Sequence, residues 1–337
     1  MVSIVIQTSF LGDMVLTTPL IAALAERGPV DVVATPASAG LLANNPSVRA
    51  VILYDKRRAS RGVRGFGRVL HELRKRRADA IYLAQGSVRS AALAFAAGVH
   101  RRVGFRTSAG RPLYSQTVPY RRDLHHAARL WQLATPERDP APGEIRPRLY
   151  PGAAERAAVD GLLGPAHDPR PLVALAPGSV WATKRWPYYK ELARAAAADA
   201  RLAVLGSADD RALAEEILAA SSHGGVNAAG RLSLLASAEL IGRAALLVTN
   251  DSAPQHLASA MDTPTVAIFG PTVPEFGFGP LAPHSIVVGH AALDCRPCDR
   301  HGPPVCPLGH WKCMRELTAD DVSARVRHLL STPTPHP

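Results

Sequence analysis

Short, almost uninterrupted apolar runs alternate with longer stretches of helical period along the chain. VSIVIQ, VDVVATP, VRAVILYD, ADAIYLA and RRVGF occupy the first third. Between them lie TTPLIAALAER, with Pro19 near its start, and helical patterns near 66–76 and 87–97. Runs that are apolar throughout suit strands covered by helices on both faces, so the spacing predicts a parallel, doubly wound sheet. HHAARLWQLA predicts a further helix, and TPERDPAPGEIRPRLYPG reads as a Pro-rich connector.

After GLLGPAHDPRP the alternation restarts with RPLVALAPG, RLAVLGS, ALLVTND and TPTVAIFGPT as strands. YYKELARAAAA, DRALAEEILAAS, LSLLASAELIGRA and APQHLASAM supply the helices. The expected organisation is therefore two Rossmann-like α/β domains, 1–165 and 166–330, with a disordered tail at 331–337. Open α/β sheets bind ligands outside the carboxyl ends of their strands, so the tandem predicts a deep central cleft where two such edges face.

Composition sharpens this picture in one respect. Of 337 residues, 39 are Lys or Arg and 28 are Asp or Glu, for a formal charge of +11. Residues 1–165 hold 24 basic and 12 acidic side chains, whereas 166–337 hold 15 and 16. The excess belongs to the first half alone, which points to an anionic ligand for that half and a different one for the second. Lys56 to Arg77 concentrates ten basic residues against the single acid Glu72. Arg61, Arg64 and Arg68 in that run are candidates for docking a phosphorylated or carboxylate-bearing acceptor. The same charge admits a nucleic-acid-binding module, but 5% aromatic residues without aromatic–basic interleaving argue against one. The N-terminus carries no basic segment followed by an apolar core, and no apolar run reaches about 18 residues. A cytoplasmic protein is expected, with peripheral contact at the inner face of a membrane.

Three segments carry candidate chemistry. SFLGDMVLTTP (9–19) follows the first strand, where Asp13 at a helix start is either an N-terminal cap or a general base for an incoming hydroxyl. A full G-x-G-x-x-G is absent there, so the dinucleotide fingerprint is missing. Ser87 to Ser90 opens another helix, as a cap or an anion site. APGSVWATKRWP (176–187) places Lys184 and Arg185 after a strand, where cations suit a leaving phosphate; Trp186 reads as packing. VTNDSAPQHLASAMDTPTVAIFGPT (248–272) brings Asn250, Asp251 and Ser252 onto a helix whose first amides, at Ser252 and Ala253, can cradle a phosphate. His256 follows one turn later.

With these residues in view the chain resembles the ADP-heptose lipopolysaccharide heptosyltransferases of glycosyltransferase family 9, the heptosyltransferase II type above all. The likeness rests on GDM after strand one, GSVRSAALAFAAGVHRRVGFR, ATKRWP, LGSADD, AAGRLSL and TNDSAPQHLASAM with IFGPT. It implies a GT-B fold, an acceptor bound by the N-terminal domain, an ADP-sugar bound by the C-terminal domain, and inversion at the anomeric carbon without a catalytic metal. Carried over by position, Asp13 resembles the base and Lys184 the donor-phosphate ligand. Asp209 or Asp210 resembles the acid that recognises the ribose. Asp251 resembles the heptose-binding aspartate, Ser252 and Ala253 the phosphate-binding amides, and His256 the histidine of that helix. Ala253 stands where the family usually has Gly, and it keeps the amide. The expected acceptor is a lipopolysaccharide inner-core saccharide, with a protein or natural-product acceptor as the alternative on the same scaffold.

All four cysteines, Cys295, Cys298, Cys306 and Cys313, fall within nineteen residues. In a reducing compartment such a cluster predicts a structural zinc or iron site, with an iron–sulfur cluster open as an alternative and His301 or His310 as substitute ligands.

Overall fold

A computed structural model of the chain describes residues 1–55, 62–165 and 168–332. It divides into two compact units, Met1–Tyr150 and Pro151–Pro337. The boundary lies ahead of the expected 165/166 because the helix Ala153–Leu163 belongs to the second unit. Arg243 holds it there, donating to Asp160 Oδ1 at 2.5 Å and to the Arg156 carbonyl at 3.3 Å. Of the tail expected at 331–337, Ser331 closes a helix and 333–337 lie outside the described residues.

The first unit carries β1 (Ser3–Ile6), β2 (Val30–Ala34), β3 (Ala50–Leu53), β4 (Ala80–Leu83), β5 (Arg101–Phe105) and β6 (Gln116–Val118). They form one parallel sheet in the order β3-β2-β1-β4-β5-β6. The second unit repeats the plan with β7 (Leu172–Ala176), β8 (Arg201–Val204), β9 (Val226–Asn227), β10 (Leu246–Asn250), β11 (Thr265–Phe269) and β12 (Ile286–Gly289), ordered β12-β11-β10-β7-β8-β9. Every residue of β1, β2, β4, β10 and β11 is buried, as both-face coverage demands. The edge strands β6, β9 and β12 escape the sequence reading because they are short and only partly buried.

In each unit the strand order reverses once, between β1 and β4 and between β7 and β10. At such a point the neighbouring loops diverge and leave a crevice at the carboxyl edge. The segment entered after β1 begins the helix Leu11–Ala25, so Pro19 is interior rather than near the start as expected. Proline cannot supply the N–H that the Val15 carbonyl would accept. The Thr18 hydroxyl donates to that carbonyl instead, at 2.8 Å.

Candidate active site

The first crevice is built around Asp13. As the third residue of its helix, Asp13 accepts from the amide of the N-cap residue Phe10 through Oδ2 at 3.3 Å, so it caps from inside the first turn rather than as the N-cap expected. Its other oxygen, Oδ1, lies 3.7 Å from Nε2 of His126, and the Asp13 side chain keeps 19% of its surface exposed. One oxygen is therefore tied to the helix and the other faces a histidine and the crevice. His126 opens the helix His126–Trp131, which packs along Leu11–Ala25, and it is 7% exposed. Sequence reading missed it, since the two positions share no local motif. The loop before Asp13 is laced in place: Gln7 Nε2 donates to Thr17 Oγ1 at 3.2 Å, and Gln85, from the loop after β4, donates to Thr8 and Ser90. Ser90 is thus engaged by Gln85, while Ser87 sits at the N-cap of Val88–Ala96.

The second crevice gathers residues that the sequence places far apart. Lys184, after β7, meets Asp251, after β10, with Nζ 2.6 Å from Oδ2. Lys184 is only 8% exposed. Asp251 is held further by Thr272 Oγ1 at 2.7 Å and by the buried Gln255 Nε2 at 3.1 Å. Beneath the pair, Asn250 Oδ1 accepts from the Trp186 amide at 3.2 Å and its Nδ2 donates to the Pro177 carbonyl at 2.8 Å, which locks the two loops together. Trp186 is packing, as expected; its indole donates to the Leu317 carbonyl at 2.8 Å. Ser252 is the N-cap of Ala253–Ala260, with Pro254 in the first turn, so the Ser252 and Ala253 amides belong to an unsatisfied helix start. His256 lies in the same helix and is buried.

Asp209 and Asp210 follow β8, the strand beside β7. Asp210 is committed to Ser207, accepting from its amide at 2.8 Å and its hydroxyl at 2.7 Å. It also crowds the β7 loop: a Cβ built on Gly178 would stand 2.7 Å from Asp210 Oδ2, so a larger residue there has to displace that carboxylate. Asp209 is exposed. In the basic run, Arg64 and Arg68 are exposed on the helix Gly62–Lys75, whose buried residues are Gly65, Val69 and Leu73; Arg61 lies outside the described residues.

The cysteine segment rests directly on the second crevice. A Cβ on Gly302 would come 3.2 Å from Lys184 Cε, and Thr183 donates to the Pro303 carbonyl. Arg296 fastens the segment to β11, donating to the carbonyls of Gly270 at 2.6 Å, Thr272 at 2.9 Å and Phe269 at 3.1 Å. The four thiols share one electrostatic neighbourhood. Burial above all, with the charges of Cys298, Cys306 and Cys295, pushes Cys313 up to about 11. Burial also acts to raise Cys306, yet the backbone amides of Trp311, Leu308, Gly309 and His310 together hold it below the usual thiol value. The thiol chemistry suits zinc or iron, but the preassembled tetrahedral site expected from the spacing is not found. Among the described residues no three His, Cys, Asp or Glu side chains are gathered to hold an ion. Cys298 Sγ turns instead to the Cys295 carbonyl at 3.1 Å, Cys295 faces His310 at 3.9 Å, and Cys313 is buried in the core.

A model of glycosyltransferase family 9 (heptosyltransferase) matches residues 66–308. Lipopolysaccharide heptosyltransferase 2 of Escherichia coli K12 is 30% identical over 293 residues, covering 81% of this chain and 84% of that one. Among solved structures, E. coli ADP-heptose lps heptosyltransferase II superposes with a TM-score of 0.79 at 26% identity, covering 98% of each chain. The fold is accordingly of the GT-B class. A dodecameric iron-containing heptosyltransferase, TibC, solved with ADP-D-beta-D-heptose, superposes with a TM-score of 0.59 at 16% identity, covering 97% of this chain and 75% of that one.

Proposed function

The chain belongs to glycosyltransferase family 9, the heptosyltransferases, and from that premise we propose that it transfers heptose from ADP-heptose to a lipopolysaccharide inner-core acceptor with inversion. One observation carries the reading: Lys184, Asp251 and the start of Ala253–Ala260 converge at the crevice of the second unit. Cation, carboxylate and open amides are the groups an ADP-sugar needs for its diphosphate and sugar hydroxyls.

In the reaction Asp13 takes the proton from the acceptor hydroxyl as that oxygen bonds to the anomeric carbon. The bond from that carbon to the diphosphate oxygen breaks on the opposite face, and ADP leaves with the electron pair. Lys184 and the amides of Ser252 and Ala253 receive the charge that develops on the phosphate. Asp251 orients the heptose, His256 supports the same helix, and Asp209 takes the ribose, Asp210 being occupied by Ser207. Because Lys184 is paired with Asp251 before any donor arrives, the donor phosphate enters as a competitor for an ammonium already held in place. Incubation with ADP-heptose and a panel of core saccharides, followed by mass spectrometry, tests the reading: a gain of one heptosyl unit on a core acceptor is expected. Transfer only to a protein or natural-product acceptor would move the assignment there.

The acceptor docks against the basic face of the first unit, including Arg64 and Arg68. Among the described residues no helix is long and apolar enough to cross a membrane. A lipid-linked acceptor brings this face to the cytoplasmic surface of the inner membrane. Reversing Arg61, Arg64 and Arg68 together raises the acceptor KM about tenfold at low salt, since exposed charge contacts contribute about 0.2–1 kcal/mol each. The effect shrinks at high salt and ADP affinity is unchanged. Equal losses for charged and uncharged acceptor analogues would contradict it.

The cysteine segment takes a structural zinc or iron ion in this reading, on binding which the thiols draw closer. The spacing of four cysteines within nineteen residues of a segment poor in apolar side chains supports it. Elemental analysis of protein purified without added metal is expected to find about one ion per chain, as a single tetrahedral thiolate site requires. Several irons with acid-labile sulfide would indicate a cluster, and no metal in reduced, active protein would remove the assignment. Cys298→Ser lowers thermal stability and lowers activity through the loop that rests on Lys184.

A further inference from the structure

The first unit contains a cavity that the transfer reaction leaves unused. Its volume is about 340 Å³, at the lower end of the range of small-molecule pockets. One wall is the second half of the helix Leu11–Ala25, from Thr18 onward, with Glu26 and Arg27 just past its end; from Asp13 to Ala22 the helix advances about 14 Å at 1.5 Å per residue. The cavity therefore lies along the flank of the sheet, away from the carboxyl edge where Asp13 stands. Arg27, Arg138, Arg146 and Arg148 all line it, against two acids, Glu26 and Glu144.

The walls are built before any ligand is bound. Arg27 donates to the Ala134 carbonyl at 2.8 Å and to Thr135 Oγ1 at 2.9 Å, two neutral acceptors that fix its position without cancelling its charge. Arg138 lies 4.6 Å over the Trp131 ring and is bridged to both oxygens of Glu144, at 2.5 and 2.7 Å. Glu144 also accepts from the Ala141 amide at 2.7 Å. That acid is thus occupied, and its pKa is held down to about 2, chiefly by Arg138. The Arg148 amide donates at 3.0 Å to the Thr18 hydroxyl, the same group that serves the carbonyl left open by Pro19. Thr18 thus ties the helix to the segment 146–150, which lines the cavity.

We propose that this cavity binds the anionic group of a small saccharide, a phosphate or carboxylate carried on one sugar ring. Arg27 and the pair Arg146 and Arg148, from separate segments of the chain, put cationic donors around the cavity, while the fork of Arg138 is held by Glu144. The cavity is large enough for a ring beside the anion, with Tyr150 on its wall, while the Trp131 ring is buried under Arg138 and serves to hold that arginine. The inference stands independently of the transfer reaction, because no residue of the cavity is placed in that reaction.

Isothermal titration of the full chain with glucose 6-phosphate, glucuronate, inorganic phosphate and glucose tests it. A sugar phosphate or sugar acid is expected to bind, glucose is expected to give no heat, and saturating ADP is expected to leave the affinity unchanged. Comparing the two charged sugars decides which anion the site prefers. Arg146→Ala and Arg148→Ala each weaken binding about tenfold, the order expected for one charge-assisted contact. Their ADP affinity and melting temperature match the parent protein, since Arg148 is exposed and Arg146 only half-buried. Arg27→Gln serves as a third variant with the same direction of effect. Equal binding of glucose and glucose 6-phosphate would overturn the proposal. So would inorganic phosphate binding as tightly as the sugar phosphate, affinity indifferent to both arginines, or no binding of any probe.

Discussion

Replacing Asp13 by Asn lowers turnover by about 10²–10⁴-fold, the usual contribution of a positioned general base, while ADP binds the second unit as before. The amide retains an oxygen for the Phe10 N–H, so the helix start survives and the loss reports on the base. Rapid-quench measurement of a single turnover at saturating substrates reads the chemical step directly. A rate within a few-fold of the parent enzyme would show that Asp13 is only a cap. His126 provides an internal comparison. Held 3.7 Å from Asp13 Oδ1, it is beyond hydrogen-bond range but close enough to orient the carboxylate when charged. His126→Leu is expected to lower kcat with little change in KM, and His126→Gln, which keeps a donor, to restore part of it.

Lys184→Ala should cost about 10²–10³ in kcat, as for the loss of one preorganised donor to a developing oxyanion, and should also weaken ADP. The charge it supplies grows in importance as the phosphate departs, so the loss in rate exceeds the loss in ground-state binding. The same change leaves Asp251, 11% exposed at its side chain, without its ammonium partner. Breaking a nearly buried pair by removing one member is destabilising by up to about 3–5 kcal/mol, and Thr272 and Gln255 offset part of that here. Lys184→Ala combined with Asp251→Asn removes the orphaned charge, so its melting temperature recovers while its ADP affinity does not. If ADP affinity in the single variant equals that of the parent, Lys184 is a structural partner of Asp251 and the phosphate role fails.

Much of the frame was legible in the residue order. The central strands are apolar along their whole length, and a run such as ALLVTND announces both a buried strand and the polar residues delivered at its end. Asp13 and Ser252 were readable as helix-start residues because capping is a local property, set by which amides lack partners within four positions. The edge strands β6, β9 and β12 were not readable. β9 has only two residues and gains its extended form from pairing with β8 rather than from its own propensity. The start of the first helix was misjudged for a related reason. Pro19 signals a beginning by local rule, and only the Thr18 hydroxyl, with the Arg148 amide behind it, makes an interior proline tolerable.

What the sequence determined by itself, then, is the succession of strands and helices, the polar residues at their carboxyl ends, and the confinement of the positive charge to the first half. What only the tertiary structure decided is pairing across long separations. Lys184 meets Asp251 across 67 positions because β7 and β10 are neighbours at the point where the sheet order reverses. His126 meets Asp13 because two helices pack side by side. The cysteines illustrate the converse, since close spacing in the chain did not gather their sulfurs into a ligand set among the described residues. Local order is written in propensities and caps that act over a few residues, whereas each of these contacts depends on which buried surfaces meet, a choice made by the whole core at once.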